Sequence, residues 1–275
     1  MTSQCAKWGY KMQAAMDFKE ECDAIAGILK PLNDSDFARP TLFKGWTISD
    51  IVAHLHLWNI AADLTLTDAK AFAEFGGMAM AGLQKGQGHI ELQNDYFKGK
   101  SARALFADWA AYFPGMAARF AAAEPERRVE WVGPDMSVAS CIIARQMEHW
   151  AHAQAIYDVL GLTRVDSARL KNVAHIGVTT YSWSFKVRGL TPLLPKPYVK
   201  LMAPDGSFWE WNEPQEENCV SGLANEFCQV VTQCRNIGDT SLVTKGETAR
   251  HWMAIAQCFA GGPENPPAKG IRHKA

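Results

Sequence analysis

The chain has 275 residues, 48% of them hydrophobic and 21% charged, with a formal net charge of −1. That fits one large or two ordinary globular domains, and a near-neutral chain without clustered Lys and Arg argues against a nucleic-acid surface or an anionic membrane. The segment from Met1 to Trp8 lacks the apolar core of a signal peptide and no apolar run is long enough to span a bilayer, so the cytoplasm is the default.

Residues 10–32 place Met12, Met16, Cys22, Ile25, Ile28 and Leu29 at helical intervals, with Pro31 as the stop. A polar turn, Asn33 to Pro40, leads to Thr47 and Asp50, the two ends of a capping box. That box opens a helix whose core face is Ile48, Ile51, Val52, Leu55 and Ala62. The Gly- and Met-rich stretch from Gly76 to Gly88 reads as helix interrupted by a loop, or as a mobile cover. Helical spacing resumes from Ser101 to Ala123 through Leu105, Trp109, Phe113, Met116 and Phe120, with a kink expected at Pro114. A further helix runs from Ser137 to Leu160 and stops at Gly161. Helices of this number and length fit a four-helix bundle.

Character changes after Gly161. Tyr198 to Ala203, Pro204-Asp-Gly206 and Ser207 to Trp211 read as strand, tight turn and strand. Helices are expected over 222–235 and 247–260. The reading is therefore mainly α: a bundle over residues 1–162, a smaller α+β domain over 163–262, and a disordered tail over 263–275. The seven cysteines (Cys5, Cys22, Cys141, Cys219, Cys228, Cys234, Cys258) are odd in number and form no Cys-x-x-Cys pair. They read as free thiols in a reducing compartment, not as a disulfide framework or a thiolate zinc site.

The chemistry concentrates at His54, Glu148 and His152. In Glu148-His-Trp-Ala-His152 a carboxylate and an imidazole lie one helical turn apart and face one point. Two imidazoles and one carboxylate suit zinc or another divalent first-row ion and leave coordination positions open, the pattern of a catalytic rather than a structural site. Spacing alone also allows a plainer arrangement, in which Arg145, on the same stripe, pairs with Glu148 beside a core histidine. Periodicity does not choose between His54 and His56, which flank the apolar face of their helix by similar angles. His149 reads as a group beside the ligands or as solvated. His89, His175, His251 and His273 have no companion pattern and read as ordinary polar residues.

The segments Gly45-Trp-Thr-Ile-Ser-Asp50-Ile-Val-Ala-His54-Leu and Met147-Glu-His-Trp-Ala-His152 resemble the DinB / mycothiol-dependent maleylpyruvate isomerase superfamily. The resemblance implies a metal-binding four-helix bundle with His54, Glu148 and His152 as ligands, and it selects His54 over His56. Ala203-Pro-Asp-Gly206, Phe227 to Gln233 and Ile255 to Gly261 are similar to members that add a sterol-carrier-like C-terminal domain. In the isomerase branch that domain supplies an arginine to the active site. The corresponding position here falls at Cys234-Arg235, with either Arg235 displaced by one residue or Cys234 in the arginine's place, and Arg188 is another cation for an anionic substrate or a surface salt bridge. The implied activity is addition of a metal-bound low-molecular-weight thiolate (mycothiol or glutathione) to a small electrophilic acid, as isomerase or thiol transferase, with Arg235 neutralising the substrate. The implied partners are a small-molecule substrate and no nucleic acid or membrane, in a monomer or homodimer. Two other classes stand beside it: a metal-hydroxide hydrolase or hydratase, and a non-catalytic protein that binds metal and a hydrophobic ligand.

Overall fold

The computed structural model describes residues 2–272, apart from the side chains of residues 2–12 and Leu83, so Cys5, the Met12 side chain and His273 lie outside the described residues. It divides into two compact units, Met1–His149 and Trp150–Ala275. The division falls inside a helix, whereas the sequence reading set a boundary after residue 162.

The first unit is helical. Its elements are α1 (Thr2–Leu29), α2 (Asp34–Phe37), α3 (Ile48–Thr67), α4 (Ala69–Gln84), α5 (His89–Tyr96) and α6 (Ala102–Ala122). A two-residue antiparallel ribbon, β1 (Arg128–Val129) and β2 (Met136–Ser137), leads into α7 (Val138–Val159). The long helices α1, α3, α6 and α7 make the bundle. α6 packs on both α1 and α3, and α7 reaches all three through His149. The His149 ring meets Phe18 edge-on at 5.1 Å, lies nearly parallel to Trp109, and is in polar contact with Asn59.

Local sequence explains most of these elements. On α1 the buried stripe is Ala15, Phe18, Cys22, Ile25 and Leu29. Met16, expected in the core, points about 140° away from that stripe and is 45% exposed. Ile28 is half-buried on its flank. The α3 capping box is present: Asp50 N–H donates to Thr47 Oγ1 at 3.1 Å, and Thr47 N–H donates to Asp50 Oδ2 at 2.8 Å. The residues expected on the core face of α3 are all buried. The Gly-rich stretch follows the first of its two readings, helix interrupted by a loop: α4 continues to Gln84, and the chain turns at Lys85–Gly88 before α5. Phe72, Phe75 and Ala79 form a buried helical stripe there, and burial of two phenylalanines outweighs the roughly 1 kcal/mol that each helical glycine forfeits. α3 and α6 are also tied by a polar cluster. Tyr112 Oη donates to Asp63 Oδ2 at 2.7 Å and Arg119 Nε donates to Asp63 Oδ1 at 2.8 Å.

The second unit is α+β. Its elements are α8 (Leu170–Thr179), α9 (Tyr181–Lys186), β3 (Tyr198–Met202), β4 (Phe208–Trp211), β5 (Cys219–Leu223), α10 (Ala224–Val231), β6 (Val243–Lys245) and α11 (Glu247–Ile255), with a 3-10 turn at Ile237–Asp239. The sheet order is β4-β3-β5-β6. β3 and β4 form the expected antiparallel hairpin, while β5 runs parallel to β3 with Val199 opposite Val220. Val199, Leu201 and Val220 are fully buried, and Trp252 of α11 packs against Tyr181 and Phe227. α8 lies so close to α10 that a Cβ at Gly177 would meet Val231 Cγ2 at 2.7 Å. Gly246 has φ +82, and a Cβ there would meet Glu217 O at 2.5 Å, so only glycine joins β6 to α11.

Three expectations change here. The helix read over 222–235 starts at Ala224 because Gly222 and Leu223 belong to β5, and it ends at Val231. The helix read over 247–260 stops at Ile255. The segment read as a disordered tail is hydrogen-bonded through residue 272. Asn236 Nδ2 donates to Pro267 O at 2.8 Å, Gly270 N–H to Asp239, and Arg272 to Gln233 O at 2.7 Å. Its composition of Gly, Pro and basic residues lacks apolar bulk, but side chains of the folded unit capture its backbone. The described cysteines are free thiols. No described helix is long and apolar enough to cross a membrane.

Candidate metal centre

His54 projects from α3 and is 7% exposed, while Glu148 and His152 project from α7 and are half-buried. Each offers a ligand atom, and these atoms lie within 4.8 Å of one another. A tetrahedral ion with bonds of about 2.1 Å spans ligand atoms about 3.4 Å apart, so small side-chain rotations bring all three donors to one ion. The donor set of two imidazoles and one carboxylate suits a divalent first-row cation.

Aromatic rings hold His54 in place. Trp46 packs edge-on against it at 5.2 Å between centroids, and His89 does so at 5.3 Å and 87°. His89 is the neighbour that sequence reasoning missed. It lies on α5, in a different helix, and no spacing rule links it to His54. Trp46, by contrast, sits in the same word as the α3 cap.

The remaining candidates fall elsewhere. His149 is fully buried rather than solvated. His56 lies on another flank of α3, stacked on Phe97 at 5.2 Å, and lines an open pocket of about 440 Å³ with Tyr96, Lys100, Asp108 and Tyr112. Arg235 is buried and donates to Asp158 Oδ1 at 2.8 Å and to Cys234 O at 3.0 Å. Asp158 also accepts from Gln154 Nε2 at 3.0 Å. Cys234 Sγ approaches Ala151 O at 3.3 Å, and burial raises its pKa. Arg188 is not a surface salt bridge: it donates to Ser184 O, Gln257 Oε1 and Glu264 O, fastening the C-terminal segment.

Burial pushes the pKa of His56 down to about 4, with Asp108 raising it and Lys100 lowering it by smaller amounts. The unfolded chain therefore takes up this proton first as pH falls. The stability that His56 contributes as a neutral ring is complete above its ordinary value of 6.5 and is lost between 6.5 and about 4. At about 1.4 kcal/mol per unit the loss is at most about 3.5 kcal/mol. Urea unfolding at several pH values should show this slope, and His56→Phe should remove it while keeping the stack on Phe97.

Comparison with known proteins places this geometry in context. The family model of the mycothiol maleylpyruvate isomerase N-terminal domain matches residues 18–157. An uncharacterised protein of Mycobacterium tuberculosis is 35% identical over 255 residues, 92% of this chain and 96% of that protein. The figures are the same for strains CDC 1551 / Oshkosh and ATCC 25618 / H37Rv. Two solved structures, the mycothiol-dependent maleylpyruvate isomerase and a histidine-to-alanine mutant of it, align with TM-score 0.51 at 15% identity. Each covers 81% of this chain and 88% of its own. At that identity the likeness is one of fold.

Proposed function

The chain belongs to the family of the mycothiol maleylpyruvate isomerase N-terminal domain, and from that membership we propose a divalent-metal-dependent enzyme that uses a low-molecular-weight thiol on a small electrophilic acid. The observation that carries the reading is the convergence of His54, Glu148 and His152 within 4.8 Å. These three residues would hold the ion, zinc being the simplest choice for the donor set. When bound, it would keep a thiol as thiolate, or a water as hydroxide, near neutral pH. The chain's own residues do the rest. Trp46 and His89 fix the His54 ring and exclude water from one side of it. Glu148 supplies the negative charge of the set, leaving the loaded centre net positive and receptive to an anionic ligand.

Arg235 is the proposed cation for a substrate carboxylate. To serve it, the guanidinium must exchange Asp158 Oδ1 for substrate. That requirement favours a second reading, in which the same centre serves a hydrolase or hydratase without a thiol. Titration calorimetry of the zinc-loaded protein with mycothiol, glutathione and bacillithiol separates the two. The thiol reading expects saturable heat with one of them in the micromolar-to-millimolar range. Silence with all three sinks it and leaves the hydroxide chemistry.

A further inference from the structure

The two helices that carry the ligand set are joined by one buried cation. Arg145 is 3% exposed and lies on α7 three residues before Glu148. Its Nε donates to Asn59 Oδ1 at 3.2 Å and its Nη2 donates to Leu55 O at 3.3 Å. Both acceptors belong to α3. Leu55 adjoins His54, and Asn59 stands one turn further along. The guanidinium thus grips α3 at two points beside the first ligand, from a position on α7 beside the second.

The grip is completed from the other side of Glu148. His149 Nδ1 lies 2.7 Å from Arg145 O. A carbonyl oxygen only accepts, so Nδ1 carries the proton and Nε2 presents its lone pair. That lone pair receives Asn59 Nδ2 and Trp109 Nε1, each at 3.3 Å. Asn59 is used at both ends: its oxygen takes Arg145 and its amide faces His149. The residues before and after Glu148 in this network are therefore locked to the same side chain of α3.

We propose that Arg145 is a positioning residue of the metal centre, setting the register and rotation of α7 on α3 so that Glu148 meets the ligand atom of His54. The inference rests on the metal-centre reading and adds to it a residue that touches no ion. Two features favour this role over a purely structural one. A buried cation bonded to neutral oxygens is a poor stabiliser, since burial disfavours its charge and apolar packing would hold two helices at least as well. The nearby anion that offsets this burial most is Glu148 itself. A guanidinium is also the side chain that serves two acceptors a turn apart in fixed geometry, which an ammonium does not.

The test is cobalt(II) titration of the metal-free full-length protein, followed by its visible ligand-field bands. Arg145→Met and Arg145→Lys should each weaken cobalt binding by about 10- to 100-fold, the range seen for outer-shell changes, and alter band position and intensity. Phe120→Leu, a core change on α6, should lower Tm while leaving cobalt affinity and spectrum unchanged. If the Arg145 variants fail to fold, Asn59→Leu removes one arm of the grip and should give the same spectral change with a smaller loss of affinity. Wild-type affinity and spectrum in the variant measured would overturn the proposal, as would an equal affinity loss in Phe120→Leu. Absence of cobalt uptake by the wild type would remove the metal-centre reading and this inference together, an outcome distinct from the other two.

Discussion

On the proposed metal-centre reading, zinc uptake should fall to background when His54 and His152 are both replaced by alanine. Only Glu148 of the three converging donors then remains, and a lone carboxylate holds a first-row cation weakly against water. The loss should exceed the 10- to 100-fold range of an outer-shell change by orders of magnitude. Elemental analysis after dialysis, with a chelator competition for affinity, reads it directly. His56→Ala is the internal control. It lies two residues from His54 on the same helix, yet it faces Phe97 and Tyr112 rather than the ligand set, and its metal content should stay at the wild-type level. Retention of zinc by the double variant would abolish the assignment of the centre.

Asp158→Ala is expected to destabilise the protein by about 3–5 kcal/mol, because it strands the Arg235 guanidinium without its counter-charge. The two side chains are only 10% and 7% exposed, and their contact is 2.8 Å. Solvent therefore replaces little of what is lost, unlike at an exposed pair. Replacing both partners with apolar residues of similar size, Asp158→Leu with Arg235→Met, should recover most of the loss, since the pair's removal takes the desolvated charges with it. Equilibrium unfolding in urea measures both. A loss below 1 kcal/mol in Asp158→Ala would mean that Arg235 finds another anion or reaches water. It would then be free to act on substrate without giving anything up.

Much of the first unit is legible in the chain. Thr47 and Asp50 announce the start of α3, and the spacing of Leu105, Trp109, Phe113, Met116 and Phe120 announces α6. Periodicity could not choose His54 over His56, because both are buried on α3 and differ only in what the neighbouring helices bring to each. α4 was obscured by its glycines, whose cost is local while the compensating burial of Phe72 and Phe75 is tertiary. α8 is a ten-residue helix whose preceding residue, Arg169, makes no side-chain cap, so little in the local pattern sets it apart. β5, Cys-Val-Ser-Gly-Leu, lacks bulky alternation and takes its identity from parallel pairing with β3. The contact of Arg235 with Asp158 spans 77 positions, which no local pattern encodes.

The parallel pairing of β5 with β3 has a further consequence for how the second unit assembles. The β3–β4 hairpin can zip as soon as residues 198–211 are available, since its contacts are close in the chain. β5 must instead round the Tyr198 end of β3 and dock along its far edge, and β6 has no edge to join until it does. Sheet growth is thus ordered, and the edge of β3 stays bare until Cys219–Leu223 arrives. In that interval an unpaired strand with an apolar face is open to the wrong partner, another chain included. The hazard lies in the order in which the smaller unit's sheet assembles.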